Sequence, residues 1–292
     1  MRNNEIEAKL RQARLCGEET AVEFGFTALP VDPFEIAQKV GITVQAKPDT
    51  AIGVSGMLLK HGNNFGILYA THIDSEGFQR FSVGHELGHY FLPGHMDAVL
   101  KNGVHESRAG FASHDPYEME ADQFSAGLLM PRKLFTPAMR HAGEGLAAIE
   151  HLANLCKTSL TSTAIRYVQC SSDPVAIVIS HGSNIDYCFM SDTLKEVDGI
   201  DWIRKREAIS KDAPTFAFNQ DAGKVRQGAR IQATANLQDW FGGRRSIEIS
   251  EDAIGLGGYG KTLTVLYGMD IPDEDEDNED DLVESYTPRF RR

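Results

Sequence analysis

Apolar residues recur at two different spacings along the chain, and the spacing changes between segments. Residues 3–24 carry them at roughly helical intervals, which predicts an amphipathic helix. Three short segments alternate or run apolar, as is typical of strands: 42–46, 54–60 and 65–70. Residues 81–91 return to helical spacing and are followed by a helix-stopping proline-glycine pair. The first third of the chain therefore predicts a small sheet with a helix packed against it.

The helical pattern continues after a polar stretch rich in histidine, glycine and serine. Residues 94–116 have no clear period and predict a long loop. A helix is predicted from Pro116 to just before Pro131, because proline suits the first turn of a helix and the position after its end. Three shorter helices are predicted next, over 133–140, 146–156 and 160–168.

The pattern changes again at residues 171–174, beyond which most periodic segments predict strands. These are residues 175–180, 185–190, 231–236, 246–250 and 263–268. Trp202 is expected to be buried among them. We therefore predict an α+β fold with a larger domain over residues 1–172, a smaller strand-rich domain over 173–271 and an acidic tail over 272–292.

Most of the negative charge is local. The 292 residues have a formal net charge of −13, and residues 273–281 hold eight acids, without which the rest would carry about −5. Such a run cannot form a core, so the tail is expected to be disordered. The charge argues against direct nucleic-acid binding through a broad basic face.

Cysteine use and hydropathy point to the cytoplasm. The four cysteines are scattered and form no C-x-x-C pair, so we expect free thiols. The sequence has no signal peptide and no apolar run long enough to span a bilayer, so no membrane partner is expected.

Candidate chemistry begins at His85-Glu86-Leu87-Gly88-His89, an H-E-x-x-H motif on a predicted helix. Positions i and i+4 lie on one helix face, so His85 and His89 can bind one tetrahedral zinc. Glu86 can then reach a water at the metal as general base. Three fixed residues are a modest signal, and an ordinary buried helix is the alternative.

A catalytic zinc site needs a third protein ligand, and the next predicted helix offers one. Glu118 and Asp122 are four residues apart and share a face, so Glu118 is the candidate ligand and Asp122 can orient a ligand histidine. Glu120 points elsewhere and is expected to be solvated. His95 is a rival ligand at the metzincin spacing, although Leu92 stands where that pattern requires glycine.

These motifs resemble the ImmA/IrrE family of zinc-dependent metallo-endopeptidases. The blocks Arg80–Tyr90 and Glu118–Pro131 carry the resemblance, with Pro30–Pro33 and Gly53–Gly56 upstream, and it covers roughly residues 28–170. Gly84 and Ser125 depart from the alanines usual in the family.

The resemblance implies a zincin-like domain, with zinc bound by His85, His89 and Glu118 and with Glu86 as the catalytic glutamate. It also implies a helix-turn-helix repressor as protein substrate, whose cleavage relieves repression of mobile-element or stress genes, and an edge strand that holds the substrate extended. The alternative function is a zinc-stabilised partner that binds a transcription regulator without cutting it. For the oxyanion, His95, His105, His114 and Tyr117 are all candidates.

Two further patterns have a simpler interpretation. Residues 255–262 match the P-loop consensus, but a strand pattern follows where a P-loop requires a helix, so we expect a glycine-rich hairpin turn. Residues 152–167 resemble a helix-turn-helix, yet Lys157 and Arg166 are its only basic residues. That is too few for phosphate binding, so a structural helix pair is expected.

Overall fold

A computed structural model describes residues 2–47, 53–108, 115–243 and 246–270. The chain divides into two compact units, Met1–Ser171 and Ser172–Arg292. The expected disordered tail over 272–292 lies outside the described residues. Both units combine helices with a sheet, which confirms the predicted α+β class. The predicted domain assignments over 1–172 and 173–271 stay predictions.

The described part of the first unit contains eight helices and four strands. In chain order they are α1 (Arg2–Glu23), α2 (Pro33–Lys39), β1 (Thr43–Lys47), β2 (Val54–His61), β3 (Asn64–Ala70), α3 (Glu76–Phe91), α4 (His95–Val99), β4 (Val104–Arg108), α5 (Pro116–Leu129), α6 (Arg132–Ala142), α7 (Gly145–Cys156) and α8 (Leu160–Cys170).

The four strands form one sheet in the order β1-β3-β2-β4. β1 pairs with β3 in parallel, and the other pairs are antiparallel. The expectation of a loop over residues 94–116 was wrong, because α4 and β4 lie within it. β4 has a single aliphatic residue, Val104, so its sequence shows no hydrophobic alternation. The strand forms by pairing with β2, which the pattern of its own residues does not reveal.

Helix α3 packs on the sheet through its apolar face. Val83 and Leu87 are fully buried in the same core as Leu58 of β2 and Ile67 of β3. The helix begins at an N-cap serine, Ser75, whose hydroxyl accepts from the Phe78 N–H. The H-E-x-x-H segment therefore lies in the buried second half of a helix fixed at its start and along its length.

Helix α5 lies against α1 through backbone approaches that only glycine permits, and it packs tightly against α3 at another glycine. A Cβ at Gly17 would lie 2.1 Å from the Phe124 carbonyl oxygen, and one at Gly127 would lie 2.1 Å from the Arg14 carbonyl oxygen. On the α3 side, a Cβ at Gly88 would lie 3.1 Å from the Ala121 Cα. These contacts fix the position of α5 relative to the H-E-x-x-H helix.

Gly84 and Ser125, the two departures noted above, face each other across the same helix pair. A Cβ at Gly84 would lie 2.5 Å from the Ser125 Oγ, and that hydroxyl donates to the Phe81 carbonyl at 2.9 Å. The missing methyl group on α3 thus makes room for the additional hydroxyl on α5, so the two departures compensate each other.

The two basic residues of the α7–α8 pair make contacts within the first unit. Arg166 is 1% exposed. It donates to the Met130 carbonyl at 2.9 Å and pairs with Glu18 at 2.5 Å. Lys157 pairs with Glu76. Buried Arg166 is not available to phosphate, and the exposed Lys157 alone is too little charge for such binding, which agrees with the structural interpretation.

The second unit contains one five-stranded antiparallel sheet in the order β6-β5-β9-β8-β7. Its described elements are β5 (Ala176–His181), β6 (Asn184–Met190), α9 (Asp192–Lys195), α10 (Pro214–Asn219), α11 (Ala222–Arg226), β7 (Arg230–Asn236), α12 (Leu237–Phe241), β8 (Glu248–Gly255) and β9 (Thr262–Tyr267).

Two sequence expectations about this unit have opposite outcomes. A single 3-10 turn, Gly257–Tyr259, joins β8 to β9, so the P-loop-like stretch is a hairpin connection with no helix after it. Trp202 is 63% exposed, and the expectation that it is buried was wrong. In the described parts of the chain, no helix is long and apolar enough to cross a membrane.

Candidate metal centre

Three side chains from α3 and α5 converge at one point. The Nε2 atoms of His85 and His89 lie 3.1 Å apart. The Glu118 carboxylate places one oxygen 3.3 Å from the His85 Nε2 and the other 3.3 Å from the His89 Nε2. Zinc–ligand bonds of about 2.0–2.1 Å in a tetrahedron put neighbouring donors roughly 3.3 Å apart. The set therefore fits a small tetrahedral ion.

The local sequence explains why Glu118 reaches the histidines. Asp115 caps α5 by accepting from the Tyr117 N–H at 2.9 Å, and Pro116 occupies the first turn. Glu118 consequently lies in the first turn of α5, next to the H-E-x-x-H face of α3. The His95 alternative is not supported, since His95 is outside the group of donors that converge.

Asp122 lies one turn after Glu118 and contacts the other side of His85. Its Oδ1 is 2.8 Å from the His85 Nδ1. Once the His85 Nε2 loses its proton, the Nδ1–H stays donated to Asp122 and the Nε2 lone pair points to the convergence point. The structure thus places Asp122 where an orienting carboxylate is expected.

Three further side chains make contacts around the centre that the sequence did not predict, and they belong to His95, His105 and Glu120. The Nδ1 of His95 lies 3.2 Å from the Nδ1 of His89, and its Nε2 lies 3.2 Å from Glu120. His105 of β4 places its Nε2 2.9 Å from Glu118. Glu120 does point away from the Glu118 face, but the expectation that it is solvated was wrong, because its side chain is 19% exposed and contacts His95.

Burial and hydrogen bonding set the charge of the converging side chains. Burial lowers the pKa of His89 to about 4, so its imidazole is neutral. Burial opposes ionisation of Glu118, but hydrogen bonds from His105 and His85 outweigh it and hold its pKa far below the usual range. Burial lowers the pKa of His85, but the hydrogen bonds to Asp122 and Glu118 raise it by more, so that its pKa is about 10. His89 and Glu118 are thus already in the form that binds metal.

Glu86 is a buried carboxylate whose burial is only partly offset by its neighbours. It is 0% exposed, and neither oxygen has a hydrogen-bond partner within the described part of the chain. Burial raises its pKa to about 7. A carboxylate held near neutral pKa beside a metal-binding set can accept and return a proton.

Comparisons with known proteins agree with this geometry. Residues 37–167, which include all the residues of the centre, match the model of the family Peptidase_M78, described as "IrrE N-terminal-like domain". A structure described as "Mycobacterium tuberculosis transcriptional regulator" resembles the chain with a TM-score of 0.59 and 12% identity. The alignment covers 91% of this chain and 81% of that one, and at this identity it shows a shared fold. No curated protein sequence matches.

The raised pKa of Glu86 predicts a pH-dependent loss of stability. Below pH 4.5 the carboxyl is protonated in the folded and the unfolded state, whereas above about pH 7 it is ionised in both, and its burial costs the most. The shift corresponds to roughly 3 kcal/mol. The metal-free protein should therefore lose stability relative to Glu86→Gln as pH rises through this window.

Thermal melts of both metal-free proteins between pH 4 and 8 measure this difference. The two proteins share their other titrating groups, and those that do not interact with Glu86 cancel in the comparison. Parallel curves over the whole range would show that Glu86 does not titrate in this window.

Proposed function

Because residues 37–167 form a domain of the Peptidase_M78 family, we propose that this protein is a zinc-dependent endopeptidase that cleaves a helix-turn-helix transcriptional repressor. The single observation that carries the proposal is the set of three donors at tetrahedral spacing, with the unpaired carboxylate of Glu86 on the same helix turn. A purely structural zinc site has no use for such a carboxylate, whose burial is costly.

In the proposed centre, His85, His89 and Glu118 would hold zinc. When bound, the metal would supply a Lewis acid for the scissile carbonyl and lower the pKa of a water molecule. Glu86 accepts a proton from the attacking water and passes it to the leaving amine nitrogen. Asp122 holds His85 by its Nδ1–H, so the ring keeps its Nε2 lone pair toward the centre.

The substrate-binding strand is proposed to be β4. It ends the described sheet on the side of β2, and it brings His105 against Glu118. An extended peptide beside this strand would pass next to the centre, through main-chain hydrogen bonds of the kind that edge strands offer.

His105 is the oxyanion donor that we favour among the four candidates. Its side chain is 16% exposed, whereas His95 is buried against His89 and Glu120. Tyr117 packs edge-on against His95, with 5.0 Å between ring centroids. His114 lies outside the described residues.

The link to a transcription regulator rests on two findings of different kinds. The family model describes an IrrE-like domain, and the structural neighbour is described as a transcriptional regulator. The charge of the chain disfavours direct DNA binding, so we propose a repressor protein, rather than its operator, as the partner.

A helix-turn-helix repressor encoded beside this gene, incubated with the purified protein, tests the function. Intact-mass analysis should show cleavage at one bond that a chelator abolishes. Glu86→Gln should keep zinc and lose activity by about 10²–10⁴-fold, because it removes the base. His89→Ala should lose both zinc binding and cleavage. Glu19→Gln, an exposed change on α1, is the control and should keep both.

Cleavage at the wild-type rate by Glu86→Gln would contradict the role of this residue. A repressor that stays intact but co-elutes with the protein would favour the alternative function, a zinc-stabilised binding partner. In that case His85→Ala should harm folding, and Glu86→Gln should behave like the wild type in every assay.

Gly56 offers a second test, because it sets the position of the Glu86 carboxylate. A Cβ at Gly56 would lie 2.5 Å from the Glu86 Oε1. Since the carboxylate ends a flexible side chain, it can move aside, so Gly56→Ala should remain folded but lose about tenfold or more in cleavage rate.

Gly66 of β3 is the matched control, because its added Cβ would make only an ordinary contact, 3.6 Å from the Thr43 carbonyl oxygen. Gly66→Ala should cleave at nearly the wild-type rate. Equal rates for the two variants would mean that Gly56 does not position the base.

A further inference from the structure

We propose that His95 and Glu120 form a hydrogen-bonded chain that holds His89 in the tautomer needed to bind metal. Both are therefore positioning residues of the centre. The inference rests on the proposed metal centre, but not on any particular substrate or on cleavage.

The chain runs through three side chains from three helices. His89 of α3 faces His95 of α4 through their Nδ1 atoms, 3.2 Å apart. The far nitrogen of His95, Nε2, lies 3.2 Å from the Glu120 Oε2 on α5. The opposite nitrogen of His89 is the one that faces His85 and Glu118.

The position of each proton follows from these contacts. A ligand imidazole presents its Nε2 lone pair to the metal, so a neutral His89 must carry its proton on Nδ1 and donate it. The Nδ1 of His95 must then accept, which places the His95 proton on Nε2. That proton needs an acceptor, and the Glu120 carboxylate, which has no donor of its own when ionised, supplies it.

Burial makes the chain difficult to replace by water. His89 is 0% exposed and His95 is 1% exposed. If His95 could not accept, the buried Nδ1–H of His89 would lose its partner, and the alternative tautomer would place a proton on Nε2, where the metal binds. The side chains of residues 95 and 120 thus affect metal binding through the tautomer of His89.

Helix α5 consequently supports both histidines. Asp122 contacts the Nδ1 of His85 directly, and Glu120 reaches the Nδ1 of His89 through His95. Glu118 lies between the two supports and faces the metal-binding nitrogens of both. All three acids have a role in the centre, although they lie on different faces of the helix.

Zinc affinity, measured in the full-length protein by competition with a chromogenic chelator, tests the proposal. His95→Phe and Glu120→Leu should each weaken binding by about 10–100-fold, the usual cost of losing such a partner. Glu120→Gln should bind nearly as well as the wild type, because its amide oxygen can accept from His95. Asp97→Asn, an exposed change on α4, is the control.

Histidine ¹⁵N shifts of the metal-free protein give a second readout. The wild type and Glu120→Gln should show His89 protonated at Nδ1, and the other two variants should show a shift toward Nε2. Circular dichroism checks folding, and if His95→Phe is unfolded, the two Glu120 variants decide.

Affinities within about threefold of the Asp97→Asn control, with an unchanged His89 tautomer, would overturn the proposal. This failure differs from failure of the proposed function. If the variants bind zinc more weakly and the wild type cuts no repressor, the chain of contacts is supported and the peptidase function is rejected. If the variants bind zinc normally and the wild type cuts a repressor, the chain of contacts is rejected and the peptidase function is supported.

Discussion

The candidate centre depends on the close packing of α5 against α3. Gly88 lies between the two histidines, and a side chain there would press on Ala121 of α5. The Glu118 carboxylate of α5 lies within 3.3 Å of both imidazoles across this helix pair. Gly17 and Gly127 allow α1 to support α5 from the other side in the same way. These glycines allow the close helix packing that brings the side chains of the centre together.

The same packing encloses a carboxylate that reduces the stability of the fold. Glu86 has no hydrogen-bond partner in the described residues, whereas the other fully buried glutamate, Glu251, is satisfied on both oxygens. Trp240 donates to one at 2.7 Å and the Thr215 N–H to the other at 2.6 Å. The protein can therefore satisfy a buried carboxylate, and it does not do so at Glu86. Such a destabilised group is typical of functional sites.

Sequence reasoning identified what local spacing determines. The four-residue steps from His85 to His89 and from Glu118 to Asp122 follow from helix geometry alone, and the structure brings these side chains together. Sequence reasoning failed where contacts come from distant parts of the chain. β4 forms only through its pairing with β2, and the role of Glu120 exists only because α4 places His95 opposite it. An acid two residues from a ligand looks solvated when only its own helix is considered.

The presence of metal at this position is the central claim, and anomalous diffraction at the zinc edge tests it most directly. Crystals of the protein with one equivalent of zinc should give one strong peak, about 2 Å from the Nε2 atoms of His85 and His89 and from a Glu118 oxygen. A peak bound by His95 or His105 without Glu118, or no peak at these residues, would contradict the account.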